Sequence, residues 1–295
     1  MTNKSATLPL PHILLALAVI VVWGTNFPII KLALAHLPPL AFATLRFVFA
    51  FLPAALFLKR PAVPPVNLAT YGILIGAGQF GILYIAMKHD ISPGLASLVM
   101  QVQVFFTIGL AMWFGRERVR AFQVGALVLA AVGLGIIVVH GGADATPLGL
   151  GLTLVAAASW AGGNMVARAS PGANMLAYVV WASVFSIPPL AVLSLLFEGW
   201  PAIRQGIASA GAATWAAVLY QSWGNTLFGF GSWAYLLARH PAATVSPFAL
   251  LVPVVGMTTA TLTIGEAMPM WKLGAAALVM AGLILNLTWP RLVRA

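Results

Sequence analysis

The sequence predicts an all-α integral membrane protein with ten transmembrane helices in two inverted-topology five-helix repeats. Three observations carry that expectation. Hydrophobic residues make up 61% of the chain and charged ones only 7%, with a mean hydropathy of +1.00, whereas a water-soluble surface needs about a quarter charged residues. The apolar residues fall in ten runs, near 12–34, 40–58, 68–87, 94–113, 122–139, 147–167, 175–196, 213–237, 242–263 and 271–289. Each is close to the roughly 20 residues that cross a bilayer as a helix. The third observation is internal repetition. Gly115 and Glu117 with Gly125 and Gly133 recur as Gly265 and Glu266 with Gly274 and Gly282. In both halves the glycines stand eight and sixteen residues after the glutamate. An odd number of spans per copy forces the copies into the membrane with opposite orientation, and such duplications build a site at the midplane that either side can reach.

Each run is read as a helix because a segment isolated in hydrocarbon must satisfy its backbone polar groups internally. The first run, after Lys4 and beginning at Ile13, imitates a signal peptide, and Ala33-Leu34-Ala35 resembles a cleavage site. It is too long for the apolar core of a signal and Lys31 interrupts it, so it is read as a retained span. Pro38-Pro39 turns the chain into span two and Pro64-Pro65 into span three, while Gly141-Gly142 and Pro171-Gly172 bracket span six. Two repeat domains follow, 12–140 and 147–290, with no segment left for a soluble domain.

The formal charge is +10, but a nucleic-acid patch would cluster Lys and Arg among polar neighbours. Here the basic residues sit between apolar runs, where they set orientation. With a cytoplasmic N-terminus, Lys4, Lys59, Arg60, Arg116, Arg118, Arg120, Arg168, Arg239, Arg291 and Arg294 lie inside, against Lys31, Lys88, Arg204 and Lys272 outside. That bias makes both termini cytoplasmic. Absence of cysteine excludes disulfides, thiolate metal sites and a cysteine nucleophile. No cofactor and no metal ligand set is expected. The expected partners are a small-molecule substrate and membrane lipid, with no nucleic acid. Ten helices enclose a cavity by themselves, so a monomer is expected.

Further matches support the duplication. Trp23-Gly24-Thr25-Asn26 in span one pairs with Trp160-Ala161-Gly162-Gly163-Asn164 in span six, and Leu45-Arg46-Phe47 up to Pro53 with Val180-Trp181-Ala182 up to Pro188. Ala86 and Pro93 correspond to Ala234 and Pro241. With these residues, Lys31, Pro38-Pro39, Ala96-Ser97-Leu98 and Glu117 with its glycines, the chain resembles the drug/metabolite transporter superfamily, in particular its ten-helix EamA-type exporters. Within it the chain looks most like bacterial inner-membrane exporters of aromatic and other neutral amino acids. The resemblance implies a central cavity formed mostly by the first four spans of each half, with spans five and ten bracing the outside.

Several residues are candidates to line that cavity. Trp23 and Asn26 share a face of span one with Ile30, and Trp160 and Asn164 share a face of span six. An indole offers a stacking surface, and a carboxamide can bond the ammonium or carboxylate of a zwitterion without net charge. The alternative is that these residues join helices as packing contacts. Span three offers Gln79 and Tyr84, and span four offers Gln101 and Gln103. The two span-four amides differ by about 200° around a helix, so one faces the cavity and one another helix. Ser97 on the same stripe favours Gln101, while Thr107 stacks with Gln103. In span eight Tyr220 and Trp223 are chosen, divided between cavity and core, while Gln221 and Asn225 lie on another side. Pro53, Pro188, Pro247 and Pro253 are kink positions, and Gly125, Gly133, Gly274 and Gly282 are assigned to close-packing faces.

Arg46 is the only charge well inside a span. Its counterpart Trp181 is uncharged, which favours snorkelling to headgroups or pairing with helix-end carbonyls over capture of a substrate carboxylate. No Asp, Glu or His lies mid-span, and no Walker loop or nucleophile–base pair is present. The expected activity is therefore secondary export of small neutral metabolites, aromatic and other neutral amino acids foremost, by alternating access and not enzyme catalysis. The alternative transport reading is multidrug efflux of aromatic cations, favoured by tryptophans and opposed by the missing acid. Without a titratable group in the cavity, flux should depend weakly on pH. Glu117 and Glu266 are expected to help close gates at opposite faces.

Overall fold

The structure, a computed structural model, describes residues 8–115, 121–170, 172–240 and 245–292. Glu117, Arg116, Arg118, Arg120 and Pro241 lie outside the described residues. Among the described residues there are no strands, only an isolated bridge between Ile91 and Ala145. The described residues form ten long helices, α1 (Leu10–Leu34), α2 (Pro39–Ala55), α3 (Pro65–His89), α5 (Ala121–His140), α6 (Pro147–Arg168), α7 (Met175–Phe197) and α10 (Met270–Leu292) together with α4, α8 and α9, each built of more than one segment. Helix α4 begins as Pro93–Val99, tightens into a 3-10 turn at Met100–Val102 and continues as Gln103–Gly115. Helix α8 joins Ala212–Leu219 and Phe230–Arg239 through a π-helical stretch, Tyr220–Gly229. Helix α9 opens with a 3-10 turn, Ser246–Leu250, before Leu251–Ile264. Helix α3 carries its own π stretch at Leu74–Gly81. A short helix, Trp200–Ser209, lies between α7 and α8.

Among the described residues six helices are long and apolar enough to cross a membrane: Leu10–Leu34, Pro65–His89, Pro93–Leu110, Phe122–His140, Pro147–Arg168 and Met175–Phe197. Pro39–Ala55, Phe248–Ile264 and Met270–Asn286 are apolar but shorter. Together they make a multi-pass membrane protein.

Helix starts follow local chemistry. Pro39, Pro65, Pro93 and Pro147 occupy the first turn of α2, α3, α4 and α6, where a missing N–H costs nothing. Thr146 caps α6 by accepting from Gly149 N at 3.0 Å, and Asn174 caps α7 through Leu176 N and Ala177 N. Helices α2 and α4 have no cap of their own. Distant carboxylates supply it. Glu198 accepts from Leu40 N at 2.6 Å and Ala41 N at 2.9 Å, and Glu266 accepts from Gly94 N at 2.9 Å. A carboxylate suits the positive end of a helix. At the same end of the bundle the opposite rule holds for cations. Lys31 donates to Met87 O and Lys88 O at the end of α3, and Lys88 donates to Leu34 O at the end of α1.

These bonds gather the ends of α1, α3, α7 and α9 with the starts of α2 and α4 at one capped end, and Thr214 at the start of α8 meets His36 after α1 there. Thr146 to Asp90 and Lys272 to Asp144 add α5, α6 and α10 to it. At the far end His12 of α1 meets His240 after α8 at 2.6 Å, and Asn67 of α3 bonds Val166 O, Ser170 and Tyr178. A cavity of about 670 Å³ opens there between the 57–64 connection and residues 169–177.

The packing partners come in matched pairs. Helix α1 packs on α9 and α6 on α4, α3 on α7 and α8 on α2, α6 on α3 and α1 on α8. Helices α2 and α7 face each other, as do α5 and α10. At the last contact a Cβ on Gly133 would stand 2.8 Å from Val279 and 2.9 Å from Ala275 O, and one on Gly282 would stand 2.5 Å from Ala126 O. The sequence assignment holds at these two positions. Among the described residues it fails at Gly274, where nothing lies within 4 Å of an added Cβ, and at Gly125 an added Cβ meets only Leu285, at 3.7 Å. Eight residues turn a helix by about 80° beyond two full turns, so the two glycines of each pair cannot share one contact line.

Candidate functional site

The most polar interior region sits where α1, α2, α3 and α8 meet. Arg46 on α2 is its node, with no exposed surface. Its Nη1 donates to Tyr84 OH at 2.8 Å and to Gln221 Oε1 at 3.2 Å, and its Nη2 donates to Thr226 Oγ1 at 3.1 Å. The guanidinium carbon lies 3.5 Å from the centroid of the Phe80 ring, a cation–π contact made strong by exclusion of water. Gln221 Nε2 donates to Asn26 O at 3.2 Å, and Asn225 Nδ2 donates to Asn26 Oδ1 at 2.7 Å and to Gln221 Oε1 at 3.2 Å. Ser222 Oγ donates to Arg46 O, and Phe42 stacks on Tyr84 with centroids 4.6 Å apart. The sequence expectation that Arg46 snorkels or pairs with helix-end carbonyls is thus corrected. Its side chain points inward and its partners are side chains of other helices, because α3 brings Tyr84, and α8 brings Gln221 and Thr226, to the same depth.

A second, half-buried polar group lies between α4 and α6. Asn164 Nδ2 donates to Gln103 Oε1 at 3.2 Å, and Thr107 Oγ1 donates to Gln103 Oε1 and Gln103 O. Gln101 is buried and its Nε2 donates to Ala249 O of α9 at 3.1 Å. The stripe favoured on the strength of Ser97 therefore faces α9, where Ser97 packs beside Gly256. Gln103 is the amide that meets span six.

The other candidates fall into place around these two groups. Trp23 packs on Phe230 and Trp233 with centroids 5.5 and 5.2 Å away, its ring edge seated where a side chain at Gly229 would be. Its Nε1 is buried without a partner among the described residues, as is Gln79 Oε1. Tyr220 OH contacts Thr25 Oγ1 at 2.5 Å and donates to Val22 O at 3.0 Å. Trp160 is half-buried. Trp223 stands apart. It is 46% exposed and its Nε1 donates to Phe49 O at 3.0 Å on α2.

Tyr84, Asn26 and Arg46 thus meet in one cluster, and Gln103 and Asn164 in another. Gln221, Asn225 and Thr226 were not selected from the sequence. The signal that could have found them is the run of polar residues Gln221, Ser222, Asn225 and Thr226 in the middle of a span, in a chain with only one mid-span charge. A helical wheel at 100° per residue also misplaces faces in α8, since the π turn takes more residues per turn.

Chemically the arrangement offers uncharged donors and acceptors plus one fixed cation. The four acids among the described residues, Asp90, Asp144, Glu198 and Glu266, all lie in connections at the capped end, and no group of three or more His, Cys, Asp or Glu able to hold a metal occurs among those residues.

Comparison with known proteins agrees with this architecture. A crystal structure of another protein, 19% identical, matches with a TM-score of 0.64 over 97% of this chain and 99% of that one, and so shares the fold. A "Probable amino-acid metabolite efflux pump" of Salmonella typhimurium is 40% identical over 278 residues, 92% of this chain and 93% of its own. A protein of the same description from Escherichia coli is 37% identical over 95% of this chain and 97% of its own. A "Probable terminal-alkyne amino-acid exporter" of Streptantibioticus cattleyicolor is 27% identical, with 90% of each chain covered. The family profile described as "EamA-like transporter family" matches twice, over residues 10–139 and 147–288. Profile and relatives together cover nearly the whole chain, and the protein belongs to the EamA-like transporter family.

Proposed function

We propose that this protein is a secondary transporter that exports small neutral metabolites, aromatic and other neutral amino acids foremost, by alternating access through a central cavity. The observation that carries the reading is the buried polar cluster, built jointly by α1, α2 and α3 of the first half and α8 of the second. A site shared between halves changes its exposure when the halves rock against each other. The names of the relatives, two efflux pumps and an exporter acting on amino acids or their metabolites, support the substrate class and direction.

In this reading the chain crosses the inner membrane of a bacterium ten times as two inverted repeats, 12–140 and 147–290, with both termini cytoplasmic and as a monomer. The matched packing pairs, the π stretches in both α3 and α8 and the 3-10 turns in both α4 and α9 support the pseudo-symmetry. Asn26, Tyr84, Gln79, Trp23 and Tyr220 serve the path from the first cluster. Gln103, Asn164 and Trp160 serve it from the second, and Gln101 and Trp223 have supporting positions. A buried cation at Arg46 opposes aromatic cations as substrates, since like charges repel most where water is excluded.

Counterflow of labelled phenylalanine, tryptophan and leucine into proteoliposomes tests the reading. Exchange above empty vesicles is expected, and no exchange of any amino acid overturns it. With no Asp, Glu or His in the described helix interiors, a pH gradient imposed at fixed membrane potential is expected to leave flux nearly unchanged. Accumulation driven by that gradient would reveal proton coupling and overturn the facilitated mechanism.

A further inference from the structure

Arg46 is left incompletely satisfied by its surroundings. Its side chain is fully buried, yet among the described residues both ion pairs belong to Lys272. Its three acceptors, Tyr84 OH, Gln221 Oε1 and Thr226 Oγ1, are all neutral, and its Nε has no partner among the described residues. A buried cation without a counter-ion is costly, and proteins normally pair it or neutralise it. Two further buried polar atoms lack partners among the described residues, Trp23 Nε1 and Gln79 Oε1. They lie on helices that already touch the cluster. Asn26, one turn after Trp23, bonds Gln221 and Asn225, and Phe80, next to Gln79, carries the guanidinium on its face. The free Nε and the second hydrogen of Nη2 of Arg46 match a carboxylate, which accepts from both.

Building on the export reading above, we propose that Arg46 anchors the carboxylate of the transported amino acid. The fork formed by Nε and Nη2 receives it. Nε is free, and Thr226 takes one of the two hydrogens of Nη2. Planar Arg–carboxylate pairs of this kind are bidentate and charge-assisted. Tyr84 and Gln221 hold the opposite edge of the guanidinium and Phe80 holds its face, which fixes the plane before the ligand arrives. The position is about 10 Å along α2 from Pro39, within the span and without exposed surface in this structure. The ligand supplies the countercharge that the fold withholds, so the loaded site is electrically more balanced than the empty one.

The test uses purified full-length protein and three probes, L-phenylalanine, L-phenylalaninamide and phenethylamine. Thermal stabilisation in detergent reports binding, and counterflow in proteoliposomes reports transport. Phenylalanine is expected to stabilise and exchange, with the amide and the amine weaker by at least about tenfold, the loss for removing one charged hydrogen-bond partner. Arg46→Lys keeps the charge but loses the fork, and is expected to raise the half-saturating phenylalanine concentration by at least about tenfold. Arg46→Gln is expected to erase the preference for acid over amide. Equal binding of acid and amide by the unaltered protein overturns the anchor even where the variants fail to fold. Phenylalanine that exchanges, but no better than its amide and independently of Arg46, leaves the export reading standing and overturns the anchor. Phenylalanine that stabilises the protein through Arg46 but never crosses the membrane does the reverse. If it neither stabilises nor crosses, both are overturned.

Discussion

Two side chains in this protein show how differently one fold can treat a buried cation. Lys272, at the start of α10, has no exposed surface and two carboxylates, Glu266 at 3.0 Å and Asp144 at 2.9 Å. Its third bond goes to Ala267 O, and Glu266 is held in turn by Ser92 Oγ and Gly94 N. Arg46 is equally buried and has three neutral oxygens and an aromatic face. The first arrangement is complete within the chain and ties α4, α5 and α10 together. The second is short of one negative charge. A cation that serves structure is given its counter-ions by the fold, whereas one that waits for a ligand is given only the dipoles that orient it. Elsewhere at the capped end Lys31 and Lys88 have helix-end carbonyls in place of carboxylates, and Glu198, Glu266, Lys31 and Lys88 each close the end of a helix other than their own.

The largest effect expected from this contrast is on stability at Lys272. Lys272→Met strands Glu266 in a nearly closed site, and breaking a buried pair in this way costs about 3–5 kcal/mol. Chemical unfolding in detergent measures it. A loss under about 1 kcal/mol would show that the capped end is not held by charge. Arg46→Met comes next. It removes an uncompensated charge while Tyr84, Asn225 and Thr226 keep their bonds to Gln221. The expected cost is about 1–2 kcal/mol, the loss of its hydrogen bonds offset by relief of desolvation. A loss as large as that of Lys272→Met would make Arg46 a structural cation and end the contrast. The smallest effect belongs to Asp144→Asn. Its side chain is 38% exposed, and a solvent-screened pair contributes about 0–1 kcal/mol. A larger loss would mean that Asp144, and not Glu266, is the main partner of Lys272.

Much of the helical architecture was legible in the sequence because it rests on properties that each segment carries alone. Apolar runs of span length, prolines at their starts and a low charge content predict helices without reference to neighbours. The exceptions are local. The π stretches of α3 and α8 and the 3-10 turns of α4 and α9 leave no mark in hydropathy, since they depend on how closely adjacent helices approach. Gly76, whose added Cβ would run into Ser186 of α7, is one such approach in α3.

The site was legible only in part. Asn26, Tyr84, Gln103 and Asn164 were found as polar residues in apolar spans, which is a property of sequence. Which of them meet was not. Gln101 and Gln103 differ by two positions and go to different helices, and nothing in span four alone says that α9 lies on one side and α6 on the other. Trp223 was chosen for its ring, but a ring suits the rim of a bundle as well as its centre.

By itself, then, the sequence determined that this chain leaves water, where its helices begin and end, and that its two halves repeat in order. Those follow from solvation and backbone hydrogen bonding, which act on one segment at a time. Only the tertiary structure decided that Arg46 turns inward and that Glu266 reaches Lys272. Each requires groups from distant segments to arrive at the same depth, and the free energy of a buried charge is fixed by those neighbours and not by the residue that bears it.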